Sequence, residues 1–300
     1  MGLALSWLVH QIISRFLIMK FGTEKQKNEC LPGLASGKLT SCLAFSEPKT
    51  GTHPRYLKTS AYKKGDSYIL NGEKYFKENA PIADLFLVFA VTGVNGNRKE
   101  FTVFIVPKGT SGLSVTEPMK LTFLRPSPHG GITLTDCSVS SSNILGVRGS
   151  AYNDMVIPFG EFEDVLLMGP IVGGMEEELE LLLGLIQAQH LIATDELKDD
   201  LGELQSLAHT LRVIAYEAAT MLDSDMSHPE LHSLPLSFKS LAIKFQSQLE
   251  IIMARSNIKS DAKLDLLTND LVHAVNISKN VAIIKQRKLG ENLLLSKAHN

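Results

Sequence analysis

The chain has 300 residues, of which 44% are hydrophobic and 21% charged, with a net charge of −2. This composition is ordinary for a globular protein and excludes disordered and collagen-like chains. A balanced charge gives no global attraction to nucleic acid or to an anionic membrane, so we expect neither as a partner. Cys30, Cys42 and Cys137 are widely spaced and form no C-x-x-C pair. They indicate neither a metal site nor a disulfide framework, and they favour a reducing compartment.

The N-terminal segment is apolar enough to need a membrane check. Residues 3–19 are strongly apolar but are interrupted by His10 and Arg15. The run is shorter than the roughly 20 residues that a membrane span needs, and a signal peptide would carry its positive charge ahead of the apolar stretch. We therefore expect a buried helix here, a second helix over residues 24–34, and no signal peptide or transmembrane helix. Residues 1–38 form the predicted N-terminal helical segment.

Residues 39–147 have the texture of a β-domain. Short runs rich in β-branched and aromatic residues alternate with Gly, Pro and Asn turns, which is typical of a sandwich or barrel. The predicted fold class is therefore α+β, with a central antiparallel β-barrel or sandwich between helical segments. Asn71-Gly72 predicts a two-residue hairpin, because both residues tolerate positive φ, and Asn95-Gly96 predicts a looser turn. The predicted strands are Ser41–Ser46, Leu57–Lys63, Tyr68–Leu70, Glu73–Phe76, Leu85–Val91, Phe101–Val106 and Ile132–Asp136.

Residues 148–300 read as helices. Leucine, isoleucine and alanine recur at spacings of three and four between Leu201 and Leu222, which predicts an amphipathic helix. Further helices are predicted over Phe162–His190, Pro235–Ala254 and Asp261–Gln286. Long helices with short connections favour a C-terminal helical bundle.

A series of short motifs runs through the first half of the chain in a fixed order. In this order and spacing the series resembles the acyl-CoA dehydrogenase family, whose usual forms are F-G-T-E-x-Q-K, L-P-x-L-A-x-G, T-E-P-x-x-G-S-D, L-N-G-x-K-x-[WF]-I-T-N and N-x-L-G. The strong match covers about residues 1–146 and a weaker one continues through the helices, so we expect a truncated or divergent member. The motifs here are F-G-T-E-K-Q-K from Phe21, L-P-G-L-A-S-G from Leu31, A-F-S-E-P from Ala44, L-N-G-E-K-Y-F from Leu70 and N-I-L-G from Asn143.

The resemblance implies a flavoprotein that binds FAD and an acyl-CoA. In the family a glutamate removes the α-proton of the acyl-CoA while the β-hydride goes to the flavin. Because the α-proton is weakly acidic, hydrogen bonds to the thioester carbonyl must stabilise enolate-like charge. The resemblance also implies an electron-transfer flavoprotein or similar acceptor, a homo-oligomer, and a role in fatty acid metabolism in the cytoplasm or the mitochondrial matrix.

The resemblance assigns flavin contacts to the β-region. Ser46 keeps the hydroxyl of the usual Thr, Phe76 takes the place of the aromatic residue that packs on the flavin, and Thr52 keeps the hydroxyl of a usual Ser and could also meet substrate. Glu78 stands where a Thr near flavin N5 is usual, and an anion there would disfavour the anionic reduced flavin. The alternative is that these residues belong to the core or to turns. The implied cofactor set is Leu43, Phe45, Ser46, Gly51, Thr52, Phe76 and Glu78.

The helical part departs further from the family. An arginine that reaches the FAD pyrophosphate is replaced by an acidic run near Thr194–Asp200, and the I-[YF]-E-G-T motif that holds the base in most members does not occur. A minority of members carry the base in E-R-L-V-L-A-G-G-P-L-G, and E-D-V-L-L-M-G-P-I-V-G matches it with Glu163 in the base position. Asp164 replaces the arginine that meets CoA, and Glu161 corresponds to an Asp that bonds the pantetheine. The alternative is that all three are solvated acids at a helix start.

Two function classes therefore stay open. The first is an FAD-dependent acyl-CoA dehydrogenase with Glu163 as base, which the resemblance favours. The second is a catalytically degenerate scaffold or assembly subunit that has lost flavin and substrate. Since the cation for the FAD phosphate is replaced by acids, we expect weak FAD occupancy. We also expect Trp7 to be buried against the β-domain or in an oligomer interface.

Overall fold

A computed structural model describes residues 1–298 except Thr52, Ser227 and Ser278. The chain divides into two compact units. One consists of Gly2–Phe159, and the other consists of residues 160–300 together with Met1.

The first unit opens with helices. Helix α1 (Gly2–Trp7), a π-helical segment (Leu8–Ser14) and helix α2 (Arg15–Phe21) follow one another without a break, and helix α3 spans Glu24–Ala35. A capping box starts α3, because the Thr23 hydroxyl accepts from the backbone N–H of Gln26 while the Gln26 side chain accepts from that of Thr23. Both helices of the predicted N-terminal segment are thus confirmed.

The apolar N-terminal helix is partly buried. Among the described residues Gly2–Phe21 is long and apolar enough to cross a membrane, but half of its apolar window is buried in the structure, as in a core helix. Trp7 is 58% exposed. The expectation that Trp7 packs against the β-domain is therefore wrong, and its burial in an oligomer interface stays a prediction.

Eight strands form one mixed sheet. Their order is β6-β7-β3-β2-β4-β5-β8, and β1 pairs with β4 beside this path. Strand β1 runs parallel to β4, which is possible because β2 and β3 lie between them in sequence and provide the crossover. In the described residues the path does not close and β4 pairs in parallel with β1 and β2. The prediction of an antiparallel barrel or sandwich is therefore not supported in its barrel form or its wholly antiparallel pairing, although the α+β class holds. The strands are β1 (Ser41–Ala44), β2 (Ser60–Lys64), β3 (Ser67–Glu78), β4 (Leu85–Asn95), β5 (Arg98–Pro107), β6 (Leu113–Val115), β7 (His129–Ser140) and β8 (Ile144–Leu145).

The predicted hairpin at Asn71-Gly72 is wrong, because β3 passes through both residues as one continuous strand. The turn lies earlier, at Gly65-Asp66, where Lys64 pairs with Ser67 and Gly65 has φ +60°. Gly72 serves a close approach instead, since an added Cβ would lie 2.6–2.8 Å from atoms of Thr59. The turn at Asn95-Gly96 is confirmed by the pairing of Asn95 with Arg98.

The sheet buries apolar side chains on both faces. One cluster joins Phe86 and Val88 of β4 to β3 and β7, and the alternate residues Leu87 and Phe89 pack with α2 and α3. A strand buried on both faces reads as a continuous apolar run, which explains the sequence of β4. The thiols of Cys42 and Cys137 belong to the first cluster and that of Cys30 to the second, and all three are free and buried.

The second unit is a helical bundle. Helix α4 (Ile157–Ala188), which begins just before this unit, is followed by α5 (Asp195–Ser224), α6 (Leu234–Arg255), α7 (Ala262–Val275) and α8 (Lys279–Ala298). The single helix predicted over 261–286 is therefore two helices, and Asp261 caps α7 by accepting from the N–H groups of Lys263 and Leu264. Glu178 of α4 is fully buried and accepts hydrogen bonds from Gln246 and Thr268, both at 2.6 Å.

Candidate functional site

The end of β1 and the middle of β3 come together in the first unit. The Ser46 hydroxyl donates to the Tyr75 carbonyl at 3.2 Å, and the Tyr75 N–H donates to the Ser46 carbonyl at 3.1 Å. This contact sets Ser46 beside Phe76, whose ring is 40% exposed and whose φ is +53°. A hydroxyl and a partly exposed aromatic residue therefore lie on neighbouring segments, and their contact with a flavin stays a prediction.

A tight loop closes next to Ser46. Glu47 and Gly51 exchange backbone hydrogen bonds at 3.0 and 3.1 Å, and the loop turns through Lys49 at φ +65° and Gly51 at φ +59°. A Cβ added at Gly51 would meet no atom within 4 Å, so the loop presents open backbone. Thr52, the next predicted residue, lies outside the described residues.

A buried ion pair holds this region together. The Lys74 ammonium donates to Glu47 at 3.0 Å and to the Phe45 carbonyl at 2.9 Å, and both side chains are at least nine-tenths buried. Glu47 also accepts from the N–H groups of Lys58 and Thr59 at 2.6 and 2.8 Å. One carboxylate therefore joins the end of β1, strand β3 and the segment that leads into β2.

The pKa values of Lys74 and Glu47 reflect two opposing effects. Burial disfavours the charged form of each side chain, and the charge of the partner favours it. Burial lowers the pKa of Lys74 to about 8 against the opposing effect of Glu47. Burial raises the pKa of Glu47, but Lys74 and the hydrogen bonds from Thr59 and Lys58 together lower it by more. Both groups are therefore charged at neutral pH.

Glu78 forms a second pair with His129. The Glu78 carboxylate lies 3.6 Å from Nε2 of His129, an ion-pair distance longer than a hydrogen bond, and the His129 ring lies 5.0 Å from that of Phe76. Burial raises the pKa of Glu78, but His129, Lys77 and a backbone hydrogen bond together lower it by more. Burial lowers the pKa of His129, but Glu78 and the hydrogen bond to the Ser127 carbonyl together raise it by more. The anion at the unusual position thus has a cationic partner when His129 is protonated.

Leu43 and Phe45 contribute core side chains. Both pack in the cluster shared with α2 and α3, and the Phe45 ring lies 4.9 Å from that of Phe89. The Phe45 carbonyl is already held by Lys74. Their side chains thus match the alternative interpretation as core residues, and a flavin contact from their backbone stays a prediction.

The acidic candidates lie on α4. Glu163 is half-buried, and the side chain of Glu161 is outside the described residues. Asp164 is 8% exposed and accepts from Lys239 at 3.0 Å and from Lys285 at 2.8 Å. Asp164 therefore ties α4 to α6 and α8, and its contact with a substrate stays a prediction.

The acidic start of α5 is also tied into the bundle. Asp200 accepts from Arg255 at 2.8 Å and from Gln248 at 3.2 Å, and Thr194 caps the helix by accepting from the N–H of Leu197. Lys198 is the one cation of this segment, and it is paired with Asp195 at 2.8 Å.

Sequence reasoning missed the buried lysines. Lys74 lies in the L-N-G-E-K-Y-F motif and Glu47 in the S-E-P motif, but neither was assigned a role. The signal for Lys74 was a charged residue at an inward position of β3. Glu47 lies beyond the end of β1 at Ala44, so no strand pattern marked it. Lys239 and Lys285 had no comparable signal, because a lysine on an amphipathic helix usually reads as solvated.

Comparison with known proteins bears on the family of the chain. Residues 42–137 match the family described as acyl-CoA dehydrogenase, middle domain. The chain is 32% identical over 212 residues to an L-prolyl-[peptidyl-carrier protein] dehydrogenase of Pseudomonas fluorescens, covering 70% of this chain and 54% of the relative. It is 33% identical over 181 residues to the mitochondrial isovaleryl-CoA dehydrogenase of Pongo abelii, covering 60% and 43%.

The fold agrees with solved structures. The chain superposes on the prolyl acyl carrier protein oxidase AnaB with a TM-score of 0.84 at 26% identity, over 97% of this chain and 78% of that chain. Fold and sequence together give the chain the fold that these dehydrogenases share. The chain belongs to the acyl-CoA dehydrogenase family. It spans about half the length of the curated relatives that it matches.

Proposed function

We propose that this chain is an FAD-dependent dehydrogenase of acyl thioesters in which Glu163 is the base. The observation that carries the proposal is the junction of Ser46 with the Tyr75-Phe76 segment beside the open Gly51 loop. Family membership supplies the reaction type, and the match of the Glu163 segment to the minority base motif supplies the base.

The residues at the junction fit a planar heteroaromatic cofactor. Phe76 exposes a ring that can stack, and the Ser46 hydroxyl donates to Tyr75 and so keeps its oxygen lone pairs for a ring N–H. The pairing of Glu78 with His129 offsets the anion that would oppose a reduced flavin. Ser46, Gly51 and Phe76 would hold the ring and its chain, and FAD is the cofactor that we propose.

The chemistry divides between the protein and its cofactor. The Glu163 carboxylate would take the proton from the α-carbon of the thioester, so that the C–H bonding electrons become part of the new C=C bond. Bound FAD would supply the acceptor for the hydride that leaves the β-carbon. Phe76 and Ser46 would orient the ring, and general-base catalysis by a carboxylate contributes about 10²–10⁴ in rate.

The substrate is proposed only as a class. The two curated relatives carry names that specify a prolyl carrier-protein thioester and isovaleryl-CoA, so an acyl thioester is common to both. An electron-transfer flavoprotein or similar acceptor, a homo-oligomer, a role in fatty acid metabolism and a location in the cytoplasm or mitochondrial matrix remain parts of the proposal that rest on family resemblance.

The test combines cofactor binding with turnover. We expect FAD titrated into the apoprotein to bind and the protein to reduce an artificial acceptor with acyl-CoA or prolyl thioesters. Glu163→Gln should keep FAD affinity and lose about 10²–10⁴ in turnover, because it keeps size and removes the base. Glu180→Gln, an exposed acid on the same helix, is the matched control. Equal turnover of wild type and Glu163→Gln would refute the assignment.

The acidic start of α5 favours the second candidate, a scaffold without flavin. The cations at this helix start are engaged with acids, because Lys198 pairs with Asp195 and Arg255 pairs with Asp200. A protein that binds no FAD at saturating concentration, yet is folded by circular dichroism, would support the scaffold and exclude the dehydrogenase.

A further inference from the structure

The charge of the chain is divided unequally between its two units. Residues 2–159 carry 18 Lys and Arg against 11 Asp and Glu, whereas residues 160–300 carry 12 against 21. The first unit is therefore at about +7 and the second at about −9 within a chain of net charge −2. Such an asymmetry points to a partner that meets the basic unit.

The basic charge of the first unit is concentrated before and within β2. Residues 48–65 contain five Lys or Arg and no Asp or Glu. From residue 56 to 62 exposure alternates, because Leu57, Thr59 and Ala61 are at most 4% exposed while the residues between them are exposed. A period of two sets the exposed side chains on one face of an extended segment. Lys58, Tyr62 and Lys64 share this face, Lys63 is exposed on the other side of β2, and Arg55 and Tyr56 end a short 3-10 turn before it. We call these exposed residues together the basic row: Arg55, Tyr56, Lys58, Tyr62, Lys63 and Lys64.

The cations of the basic row are free to meet a partner. Among the described residues, the side chains of its two outward lysines, Lys58 and Lys64, form no ion pair, and neither does Arg55. Asp66 in the turn and Glu73 on β3 are the exposed acids nearest in sequence, so the surface stays basic. Tyr56 and Tyr62 are 52% and 54% exposed and add amphipathic contact area of the kind enriched at protein interfaces.

We infer that the basic row docks an acidic carrier-protein domain that delivers the thioester substrate. The inference rests on the proposed function and deepens it, because it names the carrier as a protein rather than free CoA. The row follows directly on the Gly51 loop, so a carrier seated there would lie next to the segment that we assign to the cofactor and substrate. It is an extended surface about 25 Å long, which suits a protein face rather than one nucleotide.

A compact acidic domain fits this chain better than a long polyanion does. The basic row covers only strand β2 and the short segment before it, and the negative charge of the chain belongs to the second unit. At physiological salt, charges are screened beyond about 8 Å, so a small domain can meet the row alone. A nucleic acid or an anionic membrane would extend past the row, and a chain of net charge −2 gives neither a global attraction.

The test uses direct binding, which does not depend on catalysis. The probe is a fluorescent acidic peptidyl carrier domain with a prolyl thioester on its phosphopantetheine, and anisotropy is measured with the full chain. Lys58→Glu/Lys64→Glu should raise Kd by about tenfold or more and flatten its salt dependence. Lys108→Glu/Lys120→Glu, with the same charge change on exposed lysines elsewhere in the unit, should change Kd less than threefold.

The outcomes separate this inference from the proposed function. Carrier binding that is lost only in the Lys58→Glu/Lys64→Glu variant supports the basic row, whether or not the protein turns over substrate. An unchanged Kd in that variant, an equal loss in the control, or tighter binding of wild type to a DNA duplex or anionic vesicles would overturn it. Intact carrier binding without turnover by any thioester would overturn the proposed function alone.

Discussion

The Lys74–Glu47 pair shows how one buried charge depends on another. Lys74→Met leaves the Glu47 carboxylate buried without its cation, although the N–H groups of Lys58 and Thr59 still point at it. We expect a loss of about 3–5 kcal/mol in the free energy of unfolding, measured by chemical denaturation. Lys74→Met/Glu47→Gln should recover part of the loss, since it removes the stranded charge.

The control for the Lys74 prediction is Lys63→Met, which removes an exposed lysine from the neighbouring strand β2. We expect it to change the free energy of unfolding by no more than about 0.5 kcal/mol. A similar small change for Lys74→Met would show that the pair does not hold β1 to β3.

The contact of Glu78 with His129 can be tested by measuring the pKa of the His129 ring. In wild type, burial lowers the pKa of His129, but Glu78 and the hydrogen bond to the Ser127 carbonyl together hold it above its ordinary value. Glu78→Gln removes the charge, so burial should dominate and the pKa of His129 should fall. The measurement is an NMR titration of the imidazole protons, with His129→Gln to assign the signal. An unchanged titration would show that the two side chains do not interact in solution.

At the scale of helices, Glu178 makes the stability of the bundle depend on pH. Burial raises the pKa of Glu178 to about 7, against hydrogen bonds from Thr268 and Gln246 that lower it. The folded state therefore binds this proton more tightly than the unfolded state, whose carboxyl titrates near 4.5. The resulting stability is present in full below about pH 4.5 and is lost as the pH rises through about 7.

We therefore expect the free energy of unfolding to fall by about 1 kcal/mol from this group between pH 6 and pH 8. Glu178→Gln keeps the size and cannot ionise, so its profile over the same range should be flatter than that of wild type. Glu180→Gln, an exposed neighbour on α4, should leave the wild-type slope in place. Parallel profiles for wild type and Glu178→Gln would contradict the assignment.

Sequence patterns predicted most elements but not their pairing. Both N-terminal helices, the α5 periodicity and the Asn95-Gly96 turn are local signals, and the structure has them. The Asn71-Gly72 turn prediction was wrong because Gly72 is there to leave room for Thr59, a neighbour that only the folded sheet brings close. The parallel pairing of β1 with β4 likewise depends on a crossover that no local pattern encodes.

The candidate site was predictable only through the family motifs. Ser46 and Phe76 stand at motif positions, and the structure brings their segments together. The lysines around Asp164 come from α6 and α8, far along the chain, so no spacing rule connects them to it. Long-range ion pairs of this kind follow from the packing of the bundle and not from local sequence.

At the scale of the whole molecule, Trp7 reports association. It is the single tryptophan, and it is exposed on α1 beside Leu3, which is 70% exposed. If a homo-oligomer covers α1, as we propose, the emission should shift to the blue and lose iodide quenching as the protein concentration rises. Light scattering gives the mass in parallel. An oligomer whose Trp7 emission stays fully quenchable would exclude α1 from the interface.

The positions of the buried thiols allow the opening of the first unit to be measured separately from that of the second. All three cysteines lie in the first unit, and burial raises the pKa of the Cys42 thiol to about 12, so alkylating reagents should reach them only when the sheet or its helices open. The second unit contains no cysteine. The rate of thiol labelling under native conditions therefore reports the opening of the first unit alone. Amide exchange at residues of the second unit reports the opening of the bundle. The two measurements together would show whether the two units open in the same event or independently.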